Sequence, residues 1–209
     1  MTYKLYMTPG ACSLAPHIAL RALNLDFLLE VVDLRGKRTR AGEDYLAIQP
    51  LGYVPMLELP NGERLGEVSV ILQYLADQRP ELAFMPPLGT FERYRAMEML
   101  SFIATELHKS FGPFFANPMP EEGKQWARER IERRLAYLDQ RLGGGSYLFG
   151  ENLTAPDAYL FTVLTWLPWI RMQLSTWPKL AAYEERVRAN SAVKAALEAE
   201  AELMRGGPN

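Results

Sequence analysis

The chain has few of the residues from which disulfide-stapled or zinc-dependent proteins are built. Of its 209 residues, one is cysteine and two are histidine. A single thiol excludes an intrachain disulfide, and so small a set of soft ligands cannot supply a Cys-rich or His-rich zinc site. An excess of charge is missing too. Lys and Arg number 23 against 25 Asp and Glu, a formal net charge of −2, so nothing draws the chain to nucleic acid or to an anionic membrane surface. No apolar run approaches the ~18 residues that would span a bilayer. Residues 1–10 break at Pro9-Gly10 before an apolar stretch long enough for a signal peptide develops. Together these absences predict a soluble chain in a reducing, cytoplasmic compartment.

What is present is ordinary globular material, 48% hydrophobic and 23% charged, enough for one large domain or two small ones at ~150 residues per domain. The first part alternates short strand patterns with helical ones. Residues 3–7 read as a strand closed by Thr8-Pro9-Gly10. Leu14, Ile18, Arg21, Ala22 and Leu25 follow helical spacing up to Asn24, and Phe27, Leu29 and Val31 read as a second strand. Residues 35–44 read as loop and short helix. Residues 54–59 and 64–65 flank Pro60-Asn61-Gly62-Glu63, and Asn-Gly between apolar runs predicts a hairpin. Ile71, Leu72 and Leu75 predict a helix over 68–78. After Arg79-Pro80 and Pro86-Pro87 every pattern is helical: 91–111, 121–142 with Ile131, Leu135, Leu138 and Leu142 on one stripe, 154–166, 179–188 and 191–203. The change of period marks a domain boundary.

Cys12 lies between the first strand and the first helix. Unpaired N–H groups and the helix dipole at such a place favour negative charge, which predicts a lowered thiol pKa and some thiolate near neutral pH; a lone cysteine is as often an inert small hydrophobe. Ala15 stands where a C-x-x-C motif has its second thiol, which excludes an intramolecular dithiol cycle. The Val54-Pro55 bond is a candidate cis peptide that would turn the Val54 amide and carbonyl toward an extended, peptide-like ligand, although a trans proline capping an edge strand is the commoner arrangement. Glu67 precedes an apolar helical run, where a carboxylate caps a helix or meets a ligand. His108 and Lys109, after Glu106, offer donors to a thiolate or carboxylate, or simply form a polar face. His17 reads as an ordinary helix residue. Thr154 and Asp157 have capping-box spacing. Residues 143–145 lack the Lys-Ser/Thr of a phosphate loop, and the arginines of 128–134 alternate with Glu129 and Glu132 as on a solvated helix face.

In order and spacing, the strand–turn–Cys12–helix opening, the Val54-Pro55 strand start, the Glu67-initiated helix and the all-helical second half resemble the glutathione S-transferases. The bacterial beta class, which carries a cysteine at this turn, is the nearest in pattern. The likeness runs from Lys4-Leu5-Tyr6 through Tyr74-Leu75-Ala76-Asp77 to Asp157-Ala158-Tyr159-Leu160-Phe161. It implies an α/β plus all-α fold: a thioredoxin-like, glutathione-binding domain over 1–80, then a helical-bundle domain over 88–204 that lines an electrophile site. By the same likeness Cys12 faces the glutathione sulfur, with Ser13 and His108 as catalytic companions, and Lys37 reaches the glycyl carboxylate. Val54, ahead of Pro55, pairs with the cysteinyl backbone, while Glu67 and the amide of Val68 hold the γ-glutamyl end. Ser101, Thr105, Glu106 and His108 approach the glutathione sites of a homodimer, partly across its interface. Met7 replaces a tyrosine found in several relatives, which moves thiol activation onto Cys12, Ser13 and His108.

The implied function is conjugation of the glutathione thiol to a small hydrophobic electrophile, with glutathione as co-substrate and no cofactor or metal. Two other functions fit the same residues. One is a glutathione-dependent thiol–disulfide oxidoreductase in which Cys12 forms a mixed disulfide. The other is a non-catalytic protein that captures apolar ligands among Phe111, Phe114, Phe115, Trp166 and Trp169.

Overall fold

The computed structural model describes residues 2–115, 119–143 and 145–205. It opens with β1 (Tyr3–Met7), α1 (Leu14–Ala22), β2 (Phe27–Asp33), β3 (Arg38–Thr39) and α2 (Tyr45–Ile48), followed by the hairpin β4 (Met56–Glu58) and β5 (Arg64–Gly66) and then α3 (Val68–Gln78). Helices complete the chain: α4 (Phe91–Phe102), α5 (Gly112–Phe115), α6 (Glu121–Arg141), α7 (Ala155–Leu164), α8 (Pro178–Ala189) and α9 (Ser191–Arg205). The strands form one sheet in the order β3-β2-β1-β4-β5, with β1 parallel to β2 and antiparallel to β4. This is the thioredoxin-like sheet followed by helices that the sequence implies.

Period-2 alternation divides β1 between two cores. Tyr3, Leu5 and Met7 join the main core with α1, α3 and α7, whereas Tyr6 faces a smaller cluster with Val32, Tyr45, Val54 and Met56. At the β4–β5 turn Gly62 takes φ +86°, a conformation glycine adopts without steric cost, and the Leu59 N–H closes the loop on the Glu63 carbonyl at 2.7 Å.

Two expectations need correction. Residues 35–44 hold a strand instead of a helix: β3 pairs antiparallel with Val32 and Asp33, and the short helix starts only after Asp44, whose side chain caps it. A two-residue strand is too short to show alternation in sequence. The segment 91–111 is also not one regular α-helix. After α4 the chain widens into a π-helical turn, Ile103–Leu107, and then tightens over His108–Phe111. Such a turn shifts the phase of everything after it and is common at functional sites.

Every residue of α7 is buried, so its polar start has no recourse to water. The Thr154–Asp157 capping box forms. Asp157 accepts from the Thr154 N–H at 2.8 Å, the Leu148 N–H at 2.9 Å and the Tyr183 hydroxyl at 2.7 Å, and from the Thr154 hydroxyl as well. Replacing Asp157 with Ala leaves those donors buried and unpartnered, and urea unfolding is expected to show a loss of ~3–5 kcal/mol. Asp157→Asn, which keeps one acceptor, should lose less. A loss below ~1 kcal/mol in the alanine variant would contradict this account of the helix start.

Candidate functional site

The site is built on the turn between β1 and α1. Ser13 is fully buried, and its hydroxyl accepts from the Thr8 N–H and donates to the Thr8 carbonyl, each at 3.1 Å. Both bonds close the turn within the chain, one residue after Cys12. Cys12 is partly buried and donates its S–H to the Val54 carbonyl at 3.2 Å.

The lowered thiol pKa expected at this turn is not what the structure holds. Burial pushes the Cys12 thiol up to about 12, although local backbone N–H groups and Lys109 act in the opposite direction. Two physical reasons agree. A carbonyl acceptor stabilises S–H and repels S⁻, and α1 starts only at Leu14, with the Leu14 and Ala15 amides already turned to the Ala11 and Cys12 carbonyls.

The Val54-Pro55 peptide bond is cis. Val54 lies beside the turn, and its carbonyl already accepts from Cys12, so a ligand would have to share its second lone pair or displace the thiol. Pro55 is buried behind it. Lys37, at φ +52°, lies next to this segment and donates from Nζ to the Gly52 carbonyl at 2.9 Å. Glu67 holds φ +65° at the start of α3, a conformation that costs ~1–3 kcal/mol in a residue with a Cβ. The exposed Glu67 carboxylate does not cap its helix. Among the described residues, the Val68 and Ser69 amides at the head of α3 have no partner, a geometry suited to a carboxylate.

The facing wall comes from the helices. His108 Nδ1 meets the Tyr159 hydroxyl at 2.7 Å, and its ring stands edge-on to Trp166 at 4.9 Å. Burial, with Lys109 adding to it, pulls the imidazole down to about 4, so His108 is neutral at pH 7. Burial drives Tyr159 up, and the nearby Glu67 carboxylate pushes it further. Phe111 and Phe115 stack edge-on against Trp166 at 5.4 and 6.1 Å, and Phe115 meets Trp169 at 6.3 Å. Phe115 and Trp169 are both more than half exposed, which leaves an open aromatic patch beside the Cys12 turn.

Ser101, Thr105 and Glu106 do not join this cluster within one chain. Ser101 and Thr105 are exposed, the Thr105 hydroxyl turns back to the Ser101 carbonyl at 2.9 Å, and Glu106 accepts from Arg130 and Arg134 of α6 at 2.9 and 2.5 Å. The two arginines hold the Glu106 carboxyl below the usual range. Tyr159 carries no motif that would have exposed it. Only its burial beside His108 does.

A family model described as the glutathione S-transferase N-terminal domain matches residues 10–78, and one described as the C-terminal domain matches residues 105–200. The chain belongs to the glutathione S-transferase family. It is 43% identical over 197 residues to glutathione S-transferase GstA of Escherichia coli O157:H7, covering 94% of this chain and 98% of that protein. A glutathione transferase structure from Methylococcus capsulatus superposes with a TM-score of 0.93 at 54% identity over 96% of this chain and 99% of that one. A sphingomonad glutathione S-transferase complexed with glutathione gives 0.91 at 43% identity, covering 95% and 98%.

For this transferase the sign of the thiol shift sets a pH test. Because only the thiolate is alkylated, the rate for Cys12 with iodoacetamide in the ligand-free protein is expected to climb steadily with pH and show no plateau below pH ~10. A midpoint at or under the ~8.5 of a free thiol would refute the buried S–H.

Proposed function

We propose that glutathione lies between the Cys12 turn and the His108–Tyr159–Trp166 wall, with an apolar electrophile against the aromatic patch. The chain is an enzyme that conjugates the glutathione thiol to hydrophobic electrophiles. The observation that supports this most is that Cys12 is held as S–H. A buried, protonated thiol is a poor nucleophile for disulfide exchange, but it is a donor for another sulfur's negative charge. On this reading the glutathione thiolate receives the Cys12 S–H, its peptide backbone pairs with Val54, and its γ-glutamyl carboxylate takes the free Val68 and Ser69 amides. Lys37 meets the glycyl carboxylate, and neutral His108 donates to the sulfur or to the polarised electrophile. Conjugation then requires only a stabilised nucleophile and its alignment. Residues 1–80 would supply the backbone contacts and residues 88–204 the side-chain wall.

Retention on immobilised glutathione with saturable conjugation of an aryl halide is the direct test; no retention and no calorimetric binding would sink it. Cys12→Ala should conjugate within about tenfold of wild type, because the attacking sulfur belongs to glutathione, and His108→Ala should lose about ten- to a hundredfold. A greater loss in Cys12→Ala than in His108→Ala would reverse these roles.

We also propose a two-fold dimer in which Ser101, Thr105 and Glu106 approach the partner's glutathione. Phe91 and Tyr94 of α4 are 65% and 59% exposed, an apolar surface on the same helix as Ser101 that an isologous contact would cover. Sedimentation at micromolar concentration should show twice the chain mass, and a species of one chain's mass would overturn this.

A further inference from the structure

We propose that Glu200, on the last helix, is a positioning residue for the glutathione-facing turn, and that a polarised chain of hydrogen bonds ending at Arg21 fixes how it works. The inference rests on the reading that this turn faces glutathione. Glu200 is 2% exposed. Its Oε2 accepts the Gly10 N–H at 2.8 Å, and its Oε1 lies 3.0 Å from His17 Nδ1. The other ring nitrogen of His17, Nε2, accepts from Arg21 Nε at 2.9 Å. On the other side of the same residue the Trp166 indole donates to the Gly10 carbonyl at 2.9 Å. Gly10 takes φ +76°, and a Cβ built on it would lie 3.4 Å from the Trp169 ring and 3.7 Å from Met204. One residue of the turn, two positions before Cys12, is thus gripped on both polar groups by the helical part of the chain.

The direction of every bond in this chain is determined. A guanidinium only donates, so His17 Nε2 must be the acceptor, the imidazole is neutral with its proton on Nδ1, and Glu200 receives both that proton and the Gly10 N–H. Glu200→Gln cannot keep this arrangement. If the amide oxygen takes the Gly10 N–H, the amide NH₂ faces Nδ1; the ring must then move its proton to Nε2, where it meets the Arg21 N–H. If the oxygen takes His17 instead, the NH₂ faces the Gly10 N–H and the turn is released. Arg21→Gln places an amide the same number of bonds from Cα as Nε. That amide donates to His17 in the single variant and accepts from it in the double variant, which restores every partner.

The test measures KM for glutathione, kcat with an aryl halide, thermal midpoint, and the hydrogen exchange of the Gly10 amide in the full-length chain. Glu200→Gln should raise KM about fivefold or more with kcat within about twofold, and accelerate Gly10 exchange about tenfold. Arg21→Gln should stay within about twofold of wild type on each measure, and the double variant should return to within about twofold of Arg21→Gln. A role in stability alone would lower the midpoint in Glu200→Gln and leave KM and Gly10 exchange where they were. That result, or a double variant no better than Glu200→Gln, overturns the proposal. Should Glu200→Gln fail to fold, recovery of a folded, active double variant supports the polarised chain, and its failure to fold overturns it. If the wild type shows no saturation with glutathione, it is the functional reading that falls, and the Gly10 exchange rates still decide the clamp.

Discussion

The burial of α7 is the constraint on which the rest of the molecule depends. A helix with no solvent-facing side must satisfy every polar group from within, and each solution ties down a different part of the chain. At its start Asp157 gathers the Leu148 loop and Tyr183 of α8. Two residues later Tyr159 holds the His108 imidazole, and Trp166, just past the end, holds the Gly10 carbonyl. The apolar remainder packs on α1, α3 and α4 in one continuous core. Stability and site geometry are therefore not separable here: the same helix that closes the core sets where both walls of the cleft stand.

The elements with strong periodicity were legible in the sequence. The strand–turn–helix opening, the Asn61-Gly62 hairpin and α3 needed nothing beyond residue order, because hydrophobic period and turn chemistry agree there. The Thr154–Asp157 cap was legible for the same reason. What escaped depends on contacts between distant residues. His17 reads as an ordinary helix residue until Glu200, 183 positions away, is folded onto it. The π-helical turn at 103–107, immediately before His108, leaves no mark in the apolar pattern. The Cys12 expectation failed because local reasoning counts the helix start and misses the desolvation that folding imposes.

At Cys12 burial and the Glu67 charge, which raise the thiol, compete with nearby amides and Lys109, and burial is the largest influence. Nearby amides and Lys109 favour the thiolate, but they act on a sulfur whose hydrogen bond goes to a carbonyl. The proposed glutathione site is rich in groups that donate a proton: the Cys12 S–H, the α3 amides and the Lys37 ammonium. His108, neutral, is available to donate or to accept. On the proposed reading such a site would raise the acidity of a bound thiol and leave Cys12 quiet, which would separate glutathione activation from thiol–disulfide exchange in physical terms.

The two walls divide recognition between main chain and side chain, and that division bears on specificity. On the proposed reading the ligand-facing groups of the sheet side are the Val54 backbone and the Val68 and Ser69 amides, which substitution of the side chains leaves in place. On the helical side, beside the His108 imidazole, the exposed rings of Phe115 and Trp169 present an apolar surface backed by Phe111 and Trp166. A hydrophobic pocket discriminates by only ~1–3 kcal/mol per methylene, so on the proposed reading the aromatic wall would admit a range of apolar partners while the peptide-like half of the site stays selective. Gly10 is where the walls meet, with its carbonyl and N–H both held by the helical part of the chain. A change of side chain at Trp166 therefore alters the pocket and the turn together, whereas Phe115, exposed and tied to no backbone group of the turn, is free to vary with the electrophile alone.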